Sequence, residues 1–268
     1  MAEETLTTSM VATVSGARKI PFRSKKIRTS STNSSSASEP SKKPRLLLPL
    51  PLPLSLSIAG ELDSALRHLT TADSQLAAII KSFEPPSFDN LNTPFLSLSR
   101  SILYQQLATK AAATIYARFL SLCGGEYSVV PDVVLSLTPP QLRQIGVSAR
   151  KASYLHDLAS KYQSGFLSDS AIVSMDDETL FSKLTMVKGI GPWSVHMFMI
   201  FSLHRPDVLP VGDLGVRKGV QILHGLKKIP EPAEMVELCE GWRPYRSAGA
   251  WYMWRLVEAN RKAGKASI

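Results

Sequence analysis

Between residues 184 and 218 lie the groups in this chain whose types and spacing could do chemistry. Leu184-Thr-Met-Val-Lys-Gly-Ile-Gly-Pro-Trp-Ser194 sets Gly189 and Gly191 around one apolar residue, Ile190, and follows them with Pro192, which suits the first position of a helix. Such a run folds as a tight turn with backbone N–H groups pointing outward at a helix N-terminus, while Ile190 tucks inward as a plug. Orphan amides and the helix dipole both favour negative charge, so this is an anion site. The plainer alternative is a helix–helix turn that happens to contain two glycines. Twenty-two residues beyond Gly191, Leu209-Pro-Val-Gly-Asp-Leu-Gly-Val-Arg-Lys218 puts the Asp213 carboxylate at the start of another helix. Aspartate is common there as a cap. A carboxylate fixed in that way can also stabilise positive charge developing in a reaction, or orient a water. His68, His156, His196, His204 and His224 show no metal pairing and no partnered nucleophile, and read as satisfied or partly exposed. Cys123 and Cys239 read as small buried hydrophobes.

Taken together, the hairpin run, the Leu209–Gly215 run and the closing Trp242-Arg-Pro-Tyr-Arg-Ser247 with Trp254 resemble the helix-hairpin-helix DNA glycosylases, and within them the AlkA-like 3-methyladenine-DNA glycosylase II branch. Leu103-Tyr-Gln-Gln-Leu107 and Ile145-Gly-Val-Ser-Ala-Arg-Lys-Ala152 resemble that branch's upstream helices. The likeness covers roughly residues 60–262. It implies an all-α fold of two lobes with a cleft between them, without the mixed-sheet domain that precedes these helices in some relatives. It implies a monomer that flips an alkylated purine out of double-stranded DNA, with Asp213 as the catalytic carboxylate. Trp193 and Trp254 match aromatic cleft positions that would stack on the base, and Tyr104 either lines that pocket or is a buried helical tyrosine. Trp251, three residues from Trp254, reads as packing. The family's further aromatic is replaced here by Met197, which puts the range of bases in doubt. Lys188, Gly189, Ile190, Gly191 and Ser194 would meet the DNA backbone. The carbonyls of Thr185, Val187 and Gly189 would hold a monovalent cation; no other cofactor is implied. Bifunctional relatives carry a Schiff-base lysine where Trp193 stands, so strand cleavage is not expected. The rival readings are a glycosylase for another damaged base and a non-catalytic helix-hairpin-helix DNA-binding module.

The elements that must position these residues read as helices. Leu103, Leu107, Ala111, Ile115 and Phe119 recur every four residues, the spacing of one apolar helix face. Thr138-Pro-Pro-Gln141 is a capping box with Gly146 as the stop. Ser148 opens a helix that closes near Gly165, and Ser174 with Asp177 three residues on opens the next. The last helix is expected from about Arg246 to Ala263, with Gly264 ending it. No alternating run signals a strand.

The chain has 268 residues and a formal charge of +9. Residues 1–59 hold nine Lys/Arg against three Glu, which leaves only +3 for the rest. A basic balance suits a polyanionic partner. Residues 1–57 read as a disordered Ser/Lys/Pro-rich tail ahead of a domain at 58–268. Its clusters Arg23-Ser-Lys-Lys-Ile-Arg28 and Lys42-Lys43-Pro44-Arg45 are a nuclear import signal, a DNA-tethering arm or a solvated tail, and nucleus is the expected location. Two cysteines exclude a disulfide scaffold and four-cysteine metal sites. The apolar stretch at 46–56 is broken by Pro49, Pro51 and Pro53, so no membrane helix is expected.

Overall fold

The computed structural model describes residues 54–266 apart from Asn90; the tail and both of its basic clusters lie outside the described residues. Thirteen α-helices and two 3-10 turns make up those residues, with no strand among them. The helices α3 (Pro94–Tyr104), α4 (Thr109–Cys123), α5 (Pro131–Ser136), α6 (Pro139–Gln144), α7 (Ala149–Gln163), α8 (Asp169–Ser174) and α9 (Asp177–Thr185) pack as one group. A second group joins α1 (Glu61–Ala72), α2 (Ser74–Ser82), α11 (Leu214–Leu223), α12 (Pro232–Leu238) and α13 (Arg246–Ala266). Between them runs α10 (Pro192–Phe201), which packs on α9 and α3 and is apolar nearly all round, with Val195, Met197, Phe198, Met199 and Ile200 buried. A helix apolar on every side belongs inside a core. No helix among the described residues is long and apolar enough to cross a membrane.

Several starts and stops fall where side-chain chemistry requires. Thr138 and Gln141 form the capping box, Ser148 accepts from the Lys151 amide, and Gly146 and Gly165 leave their helices at positive φ. Four expectations are corrected. The Leu103–Phe119 stripe is divided between α3 and α4, because the chain breaks at Gln105 and at Gln106, whose φ is +55°. That break resets the phase, so α4 buries Ala112, Phe119 and Cys123 while Ala111 is exposed. Ser174 ends α8; the cap of α9 is Asp176, whose carboxylate accepts from the Thr179 amide and is held below its usual pKa by that bond. An acid complements the helix dipole better than a hydroxyl, which favours this frame. Gly264 does not end α13, which continues to Ala266. Packing begins ahead of residue 58: Leu56 is buried and its amide donates to the His204 carbonyl.

Candidate active site

Asp213 caps α11, and its side chain accepts the Val216 amide at 2.8 Å. The same oxygen, Oδ1, accepts the indole N–H of Trp254 at 2.9 Å, and Oδ2 accepts that of Trp193 at 2.7 Å. Asp213 is 5 % exposed and, among the described residues, forms no ion pair. A buried carboxylate is costly unless donors satisfy it, and three N–H groups do so here. The donors come from three elements. Trp193 opens α10, Val216 lies in the first turn of α11, and Trp254 sits on α13, so the carboxylate ties α10 to the second helix group. Gly215 makes the approach possible. A Cβ there would lie 2.8 Å from Cδ1 of Trp254 and 3.0 Å from Oδ1 of Asp213.

The hairpin preceding α10 also has the expected shape. Ile190 is buried, the plug its sequence suggests, so only its backbone can face a ligand. Gly189 adopts φ +79°, and a Cβ there would sit 2.1 Å from the Tyr154 ring, so any other residue is strained in its backbone and must displace that ring. α10 has no side-chain cap, because its N-cap is Gly191. Among the described residues, the amides of Gly189, Gly191, Trp193 and Ser194 have no acceptor, which leaves a cluster of donors at the helix's positive end. Not every hairpin donor is open. The Lys188 amide donates to Asp157 Oδ2 at 2.8 Å, and the Lys188 ammonium, on an exposed side chain, lies 3.7 Å from the same carboxylate. The Ser194 side chain is buried, so its contribution to a ligand is its amide.

The aromatic expectations divide. Trp193 is half-buried, with its N–H on Asp213. Trp254 is 3 % exposed and packs against Phe201 at 5.4 Å, so it offers no open face; its contribution to the site is its N–H. This corrects the assignment of Trp254 as a stacking surface, and the cause is the close packing of α13 on α11 that Gly215 permits. Tyr104 is buried at the end of α3, stacked edge-on with Tyr116 and flanked by Arg100, and makes no described contact with Asp213 or either indole. Trp251 is packing, as expected. Met197 is buried within α10. The five histidines are held by a carbonyl, an amide or a ring, and no group of three or more His, Cys, Asp or Glu among the described residues could hold a metal ion. Burial pushes the Cys123 thiol up to about 11 and that of Cys239 to about 12, which keeps both inert.

Two contacts had no signal in the residues themselves. Gln105 donates from its amide to the Gly189 carbonyl at 2.8 Å, tying the break between α3 and α4 to the hairpin, and Arg150 donates to Gln106 at 3.2 Å. Behind them, Lys151 donates to the Leu103 carbonyl at 2.6 Å, and burial, then repulsion from Arg150, lowers its pKa to about 8.

Comparison with known proteins agrees with this geometry. Residues 99–244 match the family described as HhH-GPD superfamily base excision DNA repair protein. DNA-3-methyladenine glycosylase 1 of Schizosaccharomyces pombe is 34% identical over 202 residues, spanning 74% of this chain and 89% of that one. The solved structure of the S. pombe 3-methyladenine DNA glycosylase in complex with abasic DNA superposes with a TM-score of 0.62 at 34% identity, over 72% of this chain and 95% of that one. The DNA-3-methyladenine glycosidase structure from Bacillus halodurans gives 0.65 at 33% identity, over 74% and 91%. With the glycine hairpin and the capped carboxylate both inside the matched residues 99–244, and with relatives above 30% identity over most of their length, the chain belongs to the HhH-GPD superfamily of base excision DNA repair proteins.

Proposed function

We propose that this protein is a monofunctional DNA N-glycosylase that removes alkylated purines such as 3-methyladenine from double-stranded DNA, working as a monomer at the first step of base excision repair. The observation that carries the reading is the buried Asp213 carboxylate, held by two indole N–H groups and a helix amide one helix away from an open cluster of hairpin donors. A capped surface aspartate would need neither indole.

The chemistry follows from the substrate class. A purine alkylated at a ring nitrogen is cationic, so it leaves as a neutral base when its bond to C1′ breaks. Positive charge then develops on the deoxyribose. A fixed, desolvated carboxylate is suited to stabilise that charge, and to orient the water that adds to C1′ and accept its proton. The base must leave the stack first, and Trp193 supplies an aromatic ring beside the carboxylate for it. The amides of Gly189, Gly191, Trp193 and Ser194, with Lys188 beside them, take the DNA phosphates and so position the duplex. A monovalent cation on the Thr185, Val187 and Gly189 carbonyls would have to use second lone pairs on two of them. Val187 already accepts the Ile190 amide and Gly189 accepts Gln105. No step of the reaction is assigned to it.

Trp193 bears no amine, so the product should be an intact strand with an abasic site. With an end-labelled duplex carrying one methylated adenine, we expect a shortened strand only after hot alkali and no adduct after borohydride. A borohydride-trapped adduct with a nicked strand before alkali overturns the monofunctional assignment; absence of released base overturns the glycosylase. The clusters at 23–28 and 42–45 are proposed as a nuclear address. Replacing their Lys and Arg with Gln should disperse a fused reporter, and an unchanged nuclear signal would remove that role.

A further inference from the structure

Gln105 donates its side-chain amide to the Gly189 carbonyl at 2.8 Å, and no step of the proposed reaction uses that bond. The glutamine is not a loose surface group. It is the C-cap of α3, where the Lys151 ammonium donates to the Leu103 carbonyl at 2.6 Å. The next residue, Gln106, turns the chain at φ +55°, and its own side chain accepts from Arg150 at 3.2 Å. Arg150, Tyr154 and Asp157 share one face of α7 and serve both loops. Arg150 holds Gln106, the Tyr154 ring closes on Gly189, and Asp157 accepts the Lys188 amide. The break after α3 and the hairpin are thus registered against one helix, and Gln105 joins them directly.

The bond acts on a single peptide plane. The Gly189 carbonyl accepts Gln105 at one end of it, and the Ile190 amide donates to the Val187 carbonyl at 3.1 Å at the other. Gly189 has no side chain to restrain its ψ, so the first of these contacts must come from outside the hairpin. The charge at this spot also matters. The Gly189 carbonyl is the negative end of a peptide dipole, set beside the open amides of Gly189 and Gly191. Left bare, it would repel the anion those amides attract; with an N–H donated to it, its charge is offset.

We propose that Gln105 is a positioning residue of the DNA grip. Its amide covers the Gly189 carbonyl and holds the Gly189–Ile190 peptide so that the flanking N–H groups stay directed at phosphate. The proposal rests on the reading of the hairpin as the phosphate contact and deepens it: the grip is completed by a side chain 84 residues away in sequence. Gln105 takes no part at C1′. Its loss weakens capture of any duplex, damaged or not, and leaves the chemical step alone.

Gly189–Ile190 is the only Gly-Ile pair in the sequence. The full chain labelled with carbon-13 at glycine carbonyls and nitrogen-15 at isoleucine amides therefore gives one cross-peak that reports this peptide without DNA. Gln105→Met keeps the length of the side chain and removes the donor; Gln105→Asn keeps the amide but is one methylene too short to reach. In both, the carbonyl resonance should move upfield, as an acceptor that has lost its donor does, and the Ile190 amide should exchange faster with solvent. Affinity for undamaged duplex, read by anisotropy at fixed salt, should fall about three- to tenfold. Single-turnover base release from methylated duplex at saturating enzyme should stay within about twofold of wild type. An unmoved cross-peak overturns the bond, and a moved cross-peak with unchanged affinity overturns its role in binding. A fall in saturated base release as large as the fall in affinity overturns the positioning role and places Gln105 at the reacting centre. Failure of both variants to fold overturns it too, since the role would then be structural. The cross-peak and the anisotropy need no base release, so failure of this proposal is distinct from failure of the glycosylase reading.

Discussion

Asparagine at position 213 is the sharpest perturbation of the site, because it changes the shape least and the donor pattern most. Asp213 accepts on both oxygens, two bonds at Oδ1 and one at Oδ2. Asparagine has one oxygen and one NH₂ group. In its better orientation the oxygen keeps the Val216 and Trp254 donors, and the NH₂ group then meets the Trp193 N–H at a separation of 2.7 Å, donor against donor. One hydrogen bond to a charged group is lost and a half-buried indole N–H is left without an acceptor, together about 2–4 kcal/mol. For a domain of this size that is a fall in thermal midpoint of about 4–16 °C. The negative charge that would face the sugar is gone as well, which should slow excision by about 10²–10³-fold or more. Affinity for abasic DNA should be retained, because no phosphate contact is touched. Calorimetry and single-turnover base release would measure the two effects. The decisive comparison adds Trp193→Phe, which removes the clashing N–H: the double variant should be more stable than Asp213→Asn alone, though no more active. Wild-type excision by Asp213→Asn would remove the carboxylate from the mechanism. An unchanged midpoint, or a double variant less stable than the single, would refute the account of how the carboxylate is held.

Gly191→Asp should leave the fold intact, because nothing lies within 4 Å of where its Cβ would stand, yet weaken binding to damaged and undamaged duplex alike; fluorescence anisotropy that detects no change would mean the turn does not face DNA. Lys151 has a folded pKa of about 8, below its unfolded value near 10.4, so between those pH values the unfolded chain binds the extra proton and this group makes the protein more stable as pH rises. Lys151→Met should therefore gain stability over wild type at neutral pH and lose that advantage towards pH 10, as followed by thermal midpoints across that range; a difference independent of pH would refute the assignment.

The hairpin and Asp213 are legible in the sequence because each depends on residue types that few local conformations tolerate: a glycine at positive φ against a ring, a proline opening a helix, an acid at a cap. The role of Trp254 is not legible, since a tryptophan's type does not say whether its face or its N–H is used; that is decided by how closely α13 meets α11, a tertiary distance set by Gly215. The apolar stripe from Leu103 to Phe119 misleads for a related reason. A four-residue period persists across a break that only the backbone at Gln106 reveals, and that break is what brings Gln105 to the hairpin. Ser174 and Asp176 compete for one helix start, and the acid wins by a margin that spacing alone does not express.

The three donors on Asp213 come from residues 193, 216 and 254, in that order along the chain. During synthesis the hairpin is complete once Ser194 has emerged, sixty residues before Trp254. The Asp213 carboxylate acquires its full set of partners only when the last helix docks. A chain stopped short of Trp254 thus carries a finished hairpin beside an unfinished carboxylate shell, and on the proposed mechanism the blade arrives only with the completed fold.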